Sequence, residues 1–260
     1  MKHTVKWILD LLNLKKLKSL PWYDSEWLSH YLLVKENLKN SQNEAELKQL
    51  EDHVAVLKTR EDFEIIKRDD FLTDEQIQEA NEVVKKINLG DAELYELKNF
   101  GRYIIHNHPH FSKLHQLLVE RVSELVGEKV EASYSFLSLY RDGAKCPLHL
   151  DAPSAKWTLD ICLNQSSPWE IFFSPVMPWP ESFQEFGPNW EQRIRNTHEF
   201  TSTALEVGEG VIFSGSSQWH YRNNMAVSSK NEFADFIFFH FAPVGHGKVS
   251  DRVNYLKGSE

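Results

Sequence analysis

A chain of 260 residues, 41% hydrophobic and 26% charged, has the size and composition of one large globular domain or two small ones. Its net charge of −9 excludes the basic footprint that non-specific nucleic-acid binding needs, and no apolar run approaches the roughly 20 residues of a membrane span. The two cysteines, Cys146 and Cys162, and a first segment without the unbroken apolar stretch of a signal peptide, fit reduced thiols in a cytoplasmic protein. The sequon Asn164-Gln165-Ser166 then carries no sugar.

Residues 1–60 are expected to form a helical extension. Trp7, Ile8, Leu11, Leu12 and Leu14 recur at helical spacing, and Lys15, Lys16 and Lys18 lie near the end of that segment before Pro21 breaks it. Such a basic amphipathic start is expected to pack on its own domain rather than on a membrane or partner. "DSEWLSHYLLVKENLKN" and "SQNEAELKQLEDHVAVLKTRED" predict two more amphipathic helices. A strand is expected near 63–66. Thr73 and Gln76 then make a capping box for a helix running to about Lys86, with Gly90 placed to close it. "ELYELKNFGRYIIHNHPH" reads as extended, and "FSKLHQLLVERVSELVG" as a helix with Gly127 just beyond its end. From Lys129 onward short strand signals dominate: "VEASYSFLSLY", "WTLDICLN", "WEIFFSP", "STALEV", "GVIFSG" and "EFADFIFFHF". A proline- and tryptophan-rich stretch at 175–200 interrupts them and is expected as a lid loop within a domain spanning 61–250. Its Arg193 and Arg195 suit an anionic group, and its Trp179 and Trp190 an apolar or ring-bearing one.

The chemistry concentrates at "PLHLDAP". In an extended chain His149 and Asp151 face one side, so an imidazole and a carboxylate reach one ion. A third ligand is His220, 69 residues after Asp151, behind a glycine turn, the strand 211–213 and a short polar loop. Two histidines and one carboxylate form the facial triad of non-haem Fe(II) oxygenases, which leaves adjacent positions open. Lys230, ten residues after His220 and just before the final strand, is placed to hold the distal carboxylate of a bidentate 2-oxo acid, and Arg222, which shares strand parity with His220, is its rival. His106, His108 and His110 alternate in "HNHPH" but lack a fourth ligand, so an exposed or substrate-facing cluster is expected rather than zinc. His240 is expected to be a half-buried strand residue.

"SLYRDGAKCPLHLDAP", "LDICLN", "LEVGEGVIFSGSSQWH" and a basic residue ten positions on resemble, in order, the 2-oxoglutarate/Fe(II)-dependent dioxygenases, with the prolyl-4-hydroxylase-like branch the nearest match over about residues 60–245. The resemblance implies an α+β fold: a double-stranded β-helix (jelly-roll, cupin-like) core with supporting helices. It implies Fe(II) on His149, Asp151 and His220, and 2-oxoglutarate held by Lys230 and Tyr140, with O2 as the second cosubstrate. The implied reaction hydroxylates an unactivated C–H bond of a small molecule, amino acid or peptide and releases succinate and CO2. Related halogenases lack the carboxylate ligand, so Asp151 implies hydroxylation. Two alternatives stand beside this. A JmjC-like hydroxylase or demethylase would carry its cosubstrate lysine on the strand after His-x-Asp, where "WTLDICLN" has none past Lys156. A non-catalytic jelly-roll binding module would keep the fold and lose turnover.

Overall fold

The computed structural model describes residues 18–227 and 231–246; the amphipathic stretch at 7–16 and Lys230 lie outside the described residues. Ten strands among them make two antiparallel sheets. The larger has the order β1 (Ile66–Arg68), β8 (Gly210–Phe213), β5 (Trp157–Gln165), β10 (Phe233–Pro243), β3 (Val130–Arg141), β2 (Arg102–His106). The smaller has the order β4 (Cys146–His149), β9 (His220–Arg222), β6 (Ile171–Phe173), β7 (Thr201–Thr203). This is the expected double-stranded β-helix.

Strand parity explains the apolar runs. On β10, Ile237, Phe239 and Phe241 pack outward against helices, while Phe236 and Phe238 face the smaller sheet. On β5, Leu159, Ile161 and Leu163 point outward and Thr158, Asp160 and Cys162 inward. A strand buried on both faces shows no alternation of apolar and polar residues. Each buried Leu, Ile or Phe contributes roughly 1.5–3 kcal/mol of transfer free energy.

The outer layer is α3 (Asp74–Lys86) and α5 (Pro109–Val126), which bury Ile77, Ala80, Phe111, Leu114, Leu118 and Val122 on the large sheet. The Thr73–Gln76 capping box forms reciprocally, and Gly127 closes α5 at φ 73°. Gly90 does not close α3. That helix ends at Ile87 in extended backbone, and Gly90 sits in a 3-10 turn whose amide donates to the Asn88 side chain. The stretch expected to be extended before β2 contains a helical turn, α4 (Leu97–Phe100), closed by Gly101 at φ 71°. Pro109 opens α5 at its first turn, where its missing N–H costs nothing. The first strand starts at Ile66; Phe63 is instead a core residue against the Trp157 ring.

The N-terminal helices α1 (Glu26–Asn40) and α2 (Glu44–Val54) cover the outer face of the small sheet, where Leu28, Leu32 and Tyr31 pack with Leu148, Leu150 and Trp219. The 175–200 segment joins this layer through a 3-10 turn (Phe183–Phe186) and α6 (Trp190–Thr197). Trp179 packs edge-on against Trp27 and Tyr31, and Lys35 bridges Glu51 and Glu181 at 2.8 Å each. No residue of the 175–200 segment borders the central cavity. The expected lid is a strut between the N-terminal helices and the small sheet. No helix among the described residues is long and apolar enough to cross a membrane.

Candidate metal centre and its cavity

His149 ends β4 and His220 begins β9, and the two are direct partners in the antiparallel register. That pairing brings together residues far apart in the chain, with their rings 4.1 Å apart. Asp151 follows β4, held by its N–H donating to the Gly215 carbonyl at 2.8 Å. Its Oδ1 lies 3.4 Å from His149 Nε2 and 3.7 Å from His220 Nε2. Ligand atoms on one ion at bonds of about 2.1 Å stand roughly 3–4 Å apart, so the set fits a single cation. These three form the one such His/Cys/Asp/Glu group found among the described residues.

The surrounding bonds choose the tautomers. His149 Nδ1 donates to the Pro147 carbonyl and His220 Nδ1 to the Gln218 carbonyl, both at 2.9 Å. Both Nε2 lone pairs are thereby left for a metal. Burial would raise Asp151, but His220 and His149 outweigh it and hold the carboxylate well below its ordinary value. Burial and the neighbouring His149 push His220 down to about 4. Burial would lower His149 as well, but Cys146 and Asp151 hold it well above its ordinary value, so a metal on its Nε2 would displace a proton.

Three supporting residues carry no sequence motif that marks them. Thr158, on β5, donates to Asp151 Oδ2 at 3.1 Å. Gly215 leaves room for that carboxylate: an added Cβ would run into Asp151 Oδ2 and would meet the Ala155 carbonyl at 2.5 Å. Gln218 braces the turn before His220, accepting from Ser214 N–H at 2.9 Å and donating to the Ser174 carbonyl at 3.1 Å. His240 is not half-buried as expected. It is 2% exposed, lines the cavity, and lies 3.0 Å from Thr158 Oγ1 through Nδ1.

A cavity of about 420 Å³ opens beside the triad. Tyr140, Cys146, Arg102 and Arg222 line one end of it. Arg222 is 3% exposed and donates to Asp160 at 2.6 Å and to the Trp169 carbonyl. Arg102 pairs with Glu96 and donates to the Tyr140 hydroxyl at 2.6 Å. Burial pushes Tyr140 up to about 12 against the pull of both guanidiniums. Asp160 is pushed up to about 6 by burial, partly offset by Arg222. Lys156 points elsewhere: its ammonium binds Glu128 at 2.7 Å and the Val56 carbonyl at 2.9 Å.

The "HNHPH" histidines separate. His106 lines the cavity and pairs with Glu93 at 2.8 Å, His108 caps α5, and His110 lies inside that helix. Of the lid residues, Trp179 donates to the Ser216 carbonyl, Trp190 stacks near Trp22 and Trp219, and Arg195 lies over Tyr221 at 3.5 Å. The mouth is bordered instead by Tyr23, Asp24 and Trp27 from the N-terminal extension and by Tyr95 and Glu96. Asp24 adopts φ 66° and accepts the Ala152 N–H at 2.8 Å. It is exposed at the mouth, although protein atoms stand densely around it. That desolvation and the Asp151 carboxylate push it up to about 7.

No family model matches the sequence. No curated protein matches it. Solved structures do. The non-haem α-ketoglutarate-dependent epimerase SnoN from nogalamycin biosynthesis aligns with a TM-score of 0.51 at 10% identity, over 70% of this chain and 79% of that one. AviO1 from Streptomyces viridochromogenes Tue57 aligns with a TM-score of 0.51 at 15% identity, over 74% and 95%. The α-ketoglutarate-dependent carbocyclase SnoK, also from nogalamycin biosynthesis, aligns with a TM-score of 0.50 at 12% identity, over 72% and 86%. At these identities the likeness is one of fold.

Proposed function

We propose that this protein is a 2-oxoglutarate- and O2-dependent Fe(II) oxygenase that hydroxylates an unactivated C–H bond of a small molecule, amino acid or peptide. The observation that carries this is the in-register pair His149–His220 closing on Asp151 inside a cavity, with both Nε2 atoms turned to a common point. The order of Tyr140, His149-x-Asp151 and His220 supports a place near the prolyl-4-hydroxylase-like branch. Fe(II) with 2-oxoglutarate, when bound, supplies the oxidising equivalents from O2 while the cosubstrate is decarboxylated to succinate.

The chain's own residues set the terms. Asp151 fills the ligand position that a halide would otherwise take, which supports hydroxylation. Thr158 fixes the carboxylate, the Gly215 carbonyl holds the Asp151 backbone N–H, and the Pro147 and Gln218 carbonyls fix the imidazoles. Tyr140 and Arg222 share the ring of Trp169 as a neighbour, so a phenol and a guanidinium converge at the end suited to the distal carboxylate. Of the two cations weighed from the sequence, Arg222 lines the cavity, which supports it as a partner for the distal carboxylate; Lys230 lies outside the described residues, and the two are separated by titrating 2-oxoglutarate against a variant of each. Lys156 is committed to Glu128, which disfavours a JmjC-like cosubstrate lysine on β5.

The test is succinate formation from 2-oxoglutarate. It is expected to require Fe(II) and O2 and to vanish in His149→Ala, Asp151→Ala or His220→Ala. Full turnover in Asp151→Ala would remove the triad assignment. Absence of turnover from the iron-loaded wild type under every condition that binds 2-oxoglutarate would favour a binding module.

A further inference from the structure

The cavity wall facing the mouth is aromatic. Tyr134 and His240 stack at 4.2 Å, Phe136 and Phe238 at 4.8 Å, and Tyr134 and Phe136 at 6.4 Å. Into this wall is set one polar atom without a partner among the described residues, the buried Nε2 of His240. Its character follows from the bonds behind it. Asp151 Oδ2 is an acceptor, so the single hydrogen of Thr158 goes to it. Thr158 Oγ1 must then accept from His240 Nδ1–H. His240 Nε2 is left as a buried lone pair that needs a donor.

The charges of the cavity lead to the same end. Arg102 is matched by Glu96 and Arg222 by Asp160. A divalent metal faces Asp151 and the dianionic cosubstrate, which leaves one further negative charge. Asp24, at the mouth, has no lysine or arginine partner among the described residues, and it holds a left-handed φ of 66° that a non-glycine residue rarely adopts. An anion at the mouth, an acceptor in the wall and flat π-faces beside it are complementary to a protonated amine.

We infer that the substrate is a small amine-bearing molecule, its ammonium group held at the mouth by Asp24, a hydrogen-bond donor turned to His240 Nε2, and its apolar or ring-bearing part laid along the Tyr134–Phe136–Phe238 wall. The inference rests on the oxygenase reading for the occupants of the metal and cosubstrate positions. It makes the N-terminal extension the specificity element of the site, because Asp24 and its neighbour Tyr23 come from that segment.

The test uses the full chain loaded with Ni(II) and saturating 2-oxoglutarate, so that nothing turns over. The probes are 2-phenylethylammonium, its uncharged isostere n-propylbenzene, and phenylacetate, each titrated calorimetrically. The amine is expected to bind about tenfold or more tightly than the hydrocarbon, the equivalent of about 1.4 kcal/mol. Asp24→Asn keeps an acceptor for Ala152 N–H and tolerates the left-handed backbone. It is expected to erase that preference while retaining the melting transition. His240→Phe is expected to weaken 4-hydroxyphenylethylammonium, whose phenol supplies a second donor for Nε2, and to leave 2-phenylethylammonium nearly unchanged; equal loss for both, or none for either, would remove the donor assigned to His240. Equal affinity for amine and hydrocarbon, no amine binding, preference for phenylacetate, or undiminished preference in Asp24→Asn would overturn the inference. Failure of the wild type to bind Ni(II) and 2-oxoglutarate would sink the oxygenase reading alone, since the charge comparison is then repeated on the metal-free protein.

Discussion

Gly215 marks how tightly the carboxylate ligand is packed. A Cβ at this position collides with the Asp151 carboxylate, which Thr158 holds in place, and with the Ala155 backbone carbonyl, which cannot turn aside. Gly215→Ala is therefore expected to displace Asp151 and lower Fe(II) affinity more than it lowers the melting temperature; a metal titration beside a thermal melt checks this. Thr158→Val removes the donor to Asp151 and the acceptor for His240 with little change in volume. Such outer-shell losses typically cost about 10- to 100-fold in metal affinity. An anaerobic Fe(II) titration that left the variant within twofold of wild type would contradict the role given to Thr158. Arg222 needs a gentler change, since Arg222→Ala would strand Asp160 without its counter-charge at a cost of about 3–5 kcal/mol. Arg222→Lys keeps a charge but loses the fork, and is expected to raise the 2-oxoglutarate requirement about tenfold or more. Lys230→Ala is the comparison: the larger defect there would give the role to the lysine.

At the scale of elements, the pairing of β4 with β9 makes the site, and the N-terminal helices back that pairing from outside. Leu148, Leu150 and Trp219 alternate with the ligands and pack against Leu28 and Tyr31. Leu28 is fully buried, so Leu28→Ala is expected to cost about 2–5 kcal/mol in urea unfolding and to weaken metal binding as a secondary effect. The ligand triad was legible because His-x-Asp and a glycine turn before a histidine are local patterns with fixed spacing. The jelly roll was legible from evenly spaced short strands. His240, Gly215 and Thr158 were not, because their roles depend on which strand lies opposite, and that is set by register across the sheet. The 175–200 stretch was misplaced for a related reason: proline and tryptophan mark a loop, but only packing decides whether it covers a cavity or ties two layers together. Its Trp179 and Trp190 are spent on the N-terminal helices.

Across the whole molecule, the helices and the large sheet share a buried histidine that ties stability to pH. His115 on α5 donates Nε2–H to the His240 carbonyl at 2.9 Å, and burial pushes its pKa down to about 4. The folded value lies below that of the unfolded chain, so the unfolded chain takes the proton first. The contribution is full above about pH 6.5 and is lost as pH falls toward 4, by about 3 kcal/mol. Urea midpoints across that window are expected to fall with pH, and less steeply in His115→Gln; an unchanged slope would contradict the assignment. The claim on which everything else depends is that His149, Asp151 and His220 hold one Fe(II) that then chelates 2-oxoglutarate. The most direct measurement is the anaerobic visible spectrum of the protein titrated with Fe(II) and then 2-oxoglutarate. The account predicts a metal-to-ligand charge-transfer band that saturates at about one equivalent of iron and is absent from His220→Ala. No band in the wild type, or an undiminished band in His220→Ala, would contradict it.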